Sequence, residues 1–117
     1  VEQGHRTFVV SWRNPDESLA NATWDQYIED GAIQAIRVVQ EITGAETINT
    51  LGFCVGGTIL SNALAVLAAR GEDPVASATF LTTLIDFTDT GILDVVDDQR
   101  RVRLLRQRAF RCRLRST

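Results

Sequence analysis

Three short apolar runs, separated by two segments of helical spacing, constrain this chain more than any other feature. Phe8-Val9-Val10-Ser11-Trp12 is rich in strand formers. It ends at Asn14-Pro15-Asp16, where proline removes a backbone donor and Asn and Asp favour a turn. Thr23-Trp24-Asp25-Gln26 fits a capping box. Apolar or small residues then recur at Trp24, Tyr27, Ile28, Ala32, Ala35, Ile36, Val39 and Ile42, which predicts a helix with one buried face. Gly44 follows as a left-handed C-cap. Residues 47–53 read as a second strand, and Gly57 to Arg70 as a helix apolar on nearly all sides, stopped by Gly71 and Pro74. Ala76 to Leu84 is a third strand, mostly apolar and threonine, as for a strand covered on both faces. Trp12 and Trp24 are read as core residues with their N–H groups near its edge.

The order β-α-β-α-β predicts an α/β architecture, a parallel sheet with right-handed crossovers. Three strands leave open edges. Together with a start on Val1 at the head of a strand-like run, this reads as a piece of a larger sheet.

The chemistry lies where the second strand meets the second helix. Gly52-Phe53-Cys54-Val55-Gly56-Gly57 has the form glycine-x-nucleophile-x-glycine of a nucleophile elbow. The nucleophile of such an elbow occupies a strained turn, so the residues two before and two after it carry almost no side chain. Gly52 and Gly56 meet that need, and Gly57 relaxes it further. The helix that follows aims its first backbone donors and positive dipole end at the site, which favours a thiolate, the reactive form of cysteine. The N–H of Val55 is the expected oxyanion donor. A second donor would come from an earlier loop. A thioester on Cys54 would be close in energy to a thioester substrate such as an acyl-CoA, so acyl exchange is the natural use of this thiol. The alternative is a buried structural cysteine, with glycines that merely let helix and strand pack.

Composition narrows the classes. Hydrophobic residues make up 44% of the 117, enough for one small core. No apolar run approaches the length of a membrane helix, and no charged-then-apolar export signal opens the chain. Two cysteines, Cys54 and Cys112, make no disulfide framework, so a reducing compartment and a free Cys54 thiol are expected. No His/Cys cluster has metal spacing, and Gly56-Gly57-Thr58 lacks the lysine of a phosphate-binding loop.

Three separated motifs resemble one family. Gly52-Phe53-Cys54-Val55-Gly56-Gly57-Thr58 resembles the lipase-like box of polyhydroxyalkanoate synthases, in which cysteine replaces the lipase serine. Val10-Ser11-Trp12-Arg13-Asn14-Pro15-Asp16 and Leu81-Thr82-Thr83-Leu84-Ile85-Asp86-Phe87, with Thr88-Asp89-Thr90-Gly91 after it, resemble two further signatures of that family in the same order. The wording is most similar to the single-subunit synthases of short-chain substrates. The resemblance runs from Val1 to Val96 and implies a partial α/β-hydrolase catalytic domain over residues 1–96. It implies transfer of (R)-3-hydroxyacyl groups, 3-hydroxybutyryl above all, from coenzyme A to a growing polyester, with Cys54 as covalent carrier and no cofactor beyond the acyl-CoA substrate. It implies a cytoplasmic enzyme, bound to polymer granules and active as a homodimer. An α/β-hydrolase-type thioesterase or depolymerase is the rival enzymatic reading, and a fragment that only pairs through its open sheet is the non-enzymatic one.

Two departures qualify the resemblance. The family's general-base histidine and assisting aspartate lie well downstream of the elbow, beyond the residues present. His5, the only histidine, lies upstream and is read as a surface or strand-edge residue. The 117 residues alone are therefore expected to be catalytically inert. The other departure is residues 97–117. Residues 1–99 hold all 15 acidic residues and four arginines, whereas residues 100–117 hold eight arginines and no acid, and the chain has no lysine. That tail reads as out-of-frame translation of a GC-rich gene. The alternative is a nucleic-acid or anionic-surface patch, but Phe110 is the only aromatic there for base stacking, so no nucleic-acid partner is assigned. Cys112 has no assigned role. Asp86 and Asp89 follow the third strand, where ligand sites gather in parallel sheets, but turn or capping duty is the preferred reading. Arg13 is expected to pair with a nearby carboxylate rather than a CoA phosphate.

Overall fold

A computed structural model describes residues 2–89. Residues 97–117, with the arginine-rich tail and Cys112, lie outside the described residues. The regular elements of the described residues belong to one compact unit, Val1–Ile85. They are a 3₁₀ turn Glu17–Leu19, helix α1 Trp24–Gln26, a π-helical segment Tyr27–Ile33, helix α2 Gln34–Thr43, strand β1 Ile48–Phe53, helix α3 Val55–Ala69 and strand β2 Val75–Leu81.

The first helical stretch starts and stops as its sequence dictates. Thr23 Oγ1 accepts the Gln26 N–H at 3.3 Å, and Gln26 Oε1 accepts the Thr23 N–H at 2.9 Å, so the capping box is complete. Gly44 ends the helix at φ 69°, its N–H bonded to the Gln40 carbonyl at 2.7 Å. Between these caps the helix widens. The Gln34 N–H reaches the Glu29 carbonyl, five residues back. Gly31 lies in this segment, under the Trp12 indole. A Cβ at Gly31 would fall 2.5 Å from Trp12 Cη2 and 2.7 Å from Cζ3. The widened turns advance the apolar face by about one residue per π turn. Ile33, absent from the α-spaced set, is thereby fully buried, in phase with Ile28 and Ile36.

These three isoleucines pack against Leu60, Ala63 and Leu67 of α3, with Ile48 and Val75 of the strands beneath them. The core thus ties the first helical stretch to α3 and α3 to the sheet. Across the outer edge of the helix pair, Arg70 clasps both carboxylate oxygens of Glu29 at 2.8 and 3.2 Å, and Arg37 bridges Glu72 at 3.4 Å.

β1 and β2 run parallel, joined through α3, with Thr50 opposite Ala78, Gly52 opposite Phe80 and Phe53 opposite Leu81. Gly52 is buried on the α3 face. Leu51 and Phe53 alternate to the other face, and each is 64% exposed.

Four sequence expectations need correction. Residues 5–16 form no strand, and Val9 is 88% exposed. A strand exists through its ladder partner, and among the described residues only β1 and β2 pair. The last strand stops at Leu81 rather than Leu84, because Thr82 adopts φ 48° and leaves the extended region. β2 is also open on one face, with Leu81 exposed. Trp12 and Trp24 are each 46% exposed, so neither is a core residue. Trp12 lies on the surface over Gly31, its ring 6.1 Å from that of Tyr27 at a tilt of 45°. The α/β reading itself stands: parallel strands alternate with helices around one core.

Candidate active site

β1 delivers the chain to a sharp turn at Cys54. Its amide still belongs to the sheet, donating to the Leu81 carbonyl at 2.9 Å. Its carbonyl already belongs to the helix, accepting the Gly57 N–H at 3.0 Å and the Thr58 N–H at 3.3 Å. Switching from ladder to helix within one residue forces φ 53° and ψ −124° at Cys54. A non-glycine residue held there costs on the order of 1–3 kcal/mol, and such strain gathers at functional turns. The thiol is free and exposed at the tip of the turn.

The close approach of β1 to α3 decides which glycines the turn needs. A Cβ at Gly52 would lie 2.5 Å from Gly57 Cα, 2.9 Å from Gly57 N and 3.1 Å from Gly56 O, all backbone. A Cβ at Gly57 would overlap Thr83 Oγ1 and stand 2.7 Å from Thr83 Cγ2. At Gly56 a Cβ would meet no heavy atom within 4 Å among the described residues. The steric demand placed on Gly56 by the motif therefore falls on Gly57 in this fold. The pattern glycine-x-nucleophile-x-glycine carries no information on which of two adjacent glycines faces the neighbouring strand.

Val55 is the first residue of α3, with Cys54 as its N-cap. Amides in the first turn of a helix have no intrahelical acceptor, so the Val55 N–H is a donor at the helix's positive end. The Cys54–Val55 peptide sets its direction.

The remaining candidates fall outside the elbow. Arg13 pairs with Asp16 and lies 3.3 Å from Ser18 Oγ. Asp16 also caps the 3₁₀ turn by accepting the Ser18 N–H at 2.9 Å. Hydrogen bonds from Ser18 and Arg13 hold its carboxyl below the usual range. His5 is exposed in the irregular N-terminal stretch. Asp86 belongs to the second compact unit, Asp86–Thr117, where its carboxylate accepts the Thr88 N–H at 2.9 Å in a side-chain-closed turn. The Thr88 bonds lower its affinity for a proton. Asp89 also lies in that unit and is exposed. Among the described residues no group of three His, Cys, Asp or Glu side chains is arranged to hold a metal ion.

Four residues to which the sequence analysis gave no role of their own support the turn at Cys54. Thr58 Oγ1 donates to the Leu84 carbonyl at 2.6 Å, and Thr83 covers Gly57. Leu81 accepts the Cys54 amide, and Thr82 turns the chain toward Thr83. The stretch Leu81–Leu84 stood out as a motif, but nothing in one sequence says that it wraps the turn of another.

A strained, exposed cysteine where a parallel strand becomes a helix is the local geometry to set beside known proteins. A family model described as the alpha/beta hydrolase fold matches residues 1–117. The chain belongs to that family. It is 67% identical over 104 residues to the poly(3-hydroxyalkanoate) polymerase subunit PhaC of Cupriavidus necator, a match covering 89% of this chain and 18% of that protein. It is 43% identical over 105 residues to the corresponding subunit of Rhizobium meliloti, covering 90% of this chain and 17% of the relative. With the poly(3-hydroxyalkanoate) polymerase of Methylorubrum extorquens the identity is 41% over 108 residues, 92% of this chain and 18% of the relative. The chain thus spans under a fifth of the length of these relatives. The resemblance drawn from the three motifs and the proteins found by comparison agree.

Proposed function

We propose that this chain is the nucleophile-bearing segment of a polyhydroxyalkanoate polymerase, which transfers (R)-3-hydroxyacyl groups from coenzyme A to a growing polyester through a thioester on Cys54. The observation that carries the reading is Cys54 itself, exposed and held at positive φ where a parallel strand becomes a helix. The likeness to named poly(3-hydroxyalkanoate) polymerases over most of the chain supports the reading.

The chemistry follows from the turn. The Cys54 thiol passes its proton to a base as its sulfur attacks the thioester carbonyl carbon of the acyl-CoA. The carbonyl oxygen takes up the charge and is stabilised by the Val55 N–H at the helix's positive end. Collapse of the tetrahedral species breaks the bond to the CoA sulfur, which leaves as a thiolate and takes a proton. One thioester replaces another, so the step is near balance in energy. The 3-hydroxyl of a second acyl unit then attacks the Cys54 thioester, its proton passes to a base, and an ester forms as Cys54 is regenerated. In the proposed whole enzyme that base is a histidine assisted by an aspartate, neither of them among the candidates on this chain. The enzyme works in the cytoplasm at the polymer-granule surface, as a homodimer.

The test is a chimera in which this chain replaces the equivalent segment of the Cupriavidus necator polymerase. Supplied with 3-hydroxybutyryl-CoA, it should release CoA and accumulate polymer, and its Cys54→Ala variant should do neither. Release of CoA with free 3-hydroxybutyrate and no polymer would replace the proposal with a thioesterase.

A further inference from the structure

We infer that Thr58 is a positioning residue for the acyl transfer, holding the Cys54–Val55 peptide through a strap formed by the residues after β2. The inference rests on Cys54 being the acyl carrier, as proposed above.

The strap starts at the hydrogen bond from the Cys54 N–H to the Leu81 carbonyl, 2.9 Å. The two residues flanking that bond, Cys54 at φ 53° and Thr82 at φ 48°, are the non-glycine residues of positive φ among those described. Thr82 redirects the chain out of the sheet and over the first turn of α3. There the half-buried Thr83 covers Gly57 and donates its hydroxyl back to the Leu81 carbonyl at 3.1 Å. One residue later, the Leu84 carbonyl accepts the Thr58 hydroxyl at 2.6 Å.

This use of Thr58 is unlike that of an ordinary helical threonine, whose hydroxyl bonds the carbonyl three or four residues back. For Thr58 that acceptor would be the carbonyl of Val55 or Cys54. The hydroxyl instead points across to Leu84, which leaves the Cys54 carbonyl to the Gly57 and Thr58 backbone amides. Thr58 is 8% exposed, and its own carbonyl accepts Ser61 Oγ at 2.8 Å and Asn62 Nδ2 at 2.7 Å. It is therefore held from the strap side and from the helix side.

A peptide group is planar, so fixing the Cys54 carbonyl fixes the opposed Val55 N–H in the same plane. Thr58, anchored to Leu84, holds that carbonyl through its own amide. It thereby aims the oxyanion donor without touching substrate. A donor so aimed acts on the transition state more than on the bound substrate, and its misalignment lowers kcat rather than raising KM.

The experiment uses the active full-length chimera. Thr58→Val should lower kcat about tenfold, the factor equivalent to one ordinary hydrogen bond, with KM within about twofold. Thr58→Ser, which keeps the hydroxyl, should stay within about twofold of the parent. Thr83→Ala, which removes the cover on Gly57 but keeps the Thr58 hydroxyl, should also lower kcat at constant KM, and it serves if Thr58→Val does not fold. All rates are normalised to the burst of released CoA, so that lost folded enzyme is not counted as lost catalysis. Parent-like kcat in Thr83→Ala or in a folded Thr58→Val, or a serine variant as slow as the valine, would overturn the inference. Cys54→Ala in the same chimera separates the two levels. If it still polymerises, the underlying assignment is wrong; if it is inert while Thr58→Val is unaffected, only the role of Thr58 falls.

Discussion

Replacing Gly52 and Gly56 by alanine in turn separates what the motif demands from what the geometry demands. The motif asks for a glycine at both places. The geometry asks for one at Gly52 and leaves room at Gly56. An alanine Cβ at residue 52 would stand 2.5 Å from Gly57 Cα, where carbon atoms in contact settle at about 3.5–4.0 Å. The obstructing atoms are all backbone, so relief requires the first turn of α3 to move off β1 by on the order of 1 Å. Overpacking of that kind costs about 1–3 kcal/mol of stability. A 1 Å displacement of catalytic groups can cost about a hundredfold in rate. At residue 56, in the first turn of a helix, alanine meets no heavy atom within 4 Å among the described residues and gains about 0.4–1 kcal/mol from reduced freedom of the unfolded chain. In the polymerase chimera, Gly52→Ala should therefore lower CoA release about a hundredfold and reduce the thermal midpoint, and Gly56→Ala should leave both near the parent. The assay is thiol-coupled CoA release with thermal unfolding on the same samples. A tolerant Gly52→Ala beside an inactive Gly56→Ala would refute the reasoning.

Three other substitutions probe the supports of the elbow and the core. Thr82→Gly should relieve a left-handed residue and raise stability by about 1 kcal/mol, read from urea midpoints; a loss would mean the threonine side chain matters more than its backbone. Thr23→Ala removes the hydroxyl of the capping box and should destabilise by about 1 kcal/mol in the same measurement. The Arg70 guanidinium beside Glu29 holds that carboxyl below its ordinary value of 4.5. A depressed carboxyl stabilises the fold above its unfolded pKa, and the contribution fades as pH falls through the folded value. Acid titration of stability should therefore steepen below about pH 4.5. Glu29→Gln should flatten that limb, and added salt should shrink the difference, since the pair is solvent-exposed.

The order of elements was readable because local rules and tertiary packing agree along most of the chain. The capping box at Thr23, the left-handed Gly44 and the glycine-flanked Cys54 each announce a local conformation that the fold adopts. Where the outcome depends on a distant partner, the sequence is silent. Residues 8–12 have the composition of a strand yet find no ladder among the described residues. Ile33 is brought into the core by a π-helical shift that α-helical spacing does not anticipate. The choice between Gly56 and Gly57 as the close-contact glycine depends on Thr83, which lies past the end of β2 and far along the sequence. Trp12 has the size of a core residue, but it covers Gly31 from the surface.

The covalent role of Cys54 is open to direct measurement. The direct measurement is acid-quench trapping of the polymerase chimera during turnover of 3-hydroxybutyryl-CoA, followed by peptide mass spectrometry of the segment Leu51–Thr58. A 3-hydroxybutyryl or oligomeric thioester on Cys54 is expected to appear within the first turnover and to be absent from the Cys54→Ala variant. Polymer accumulating while Cys54 stays unmodified, or an acyl group carried by another residue, would contradict that role.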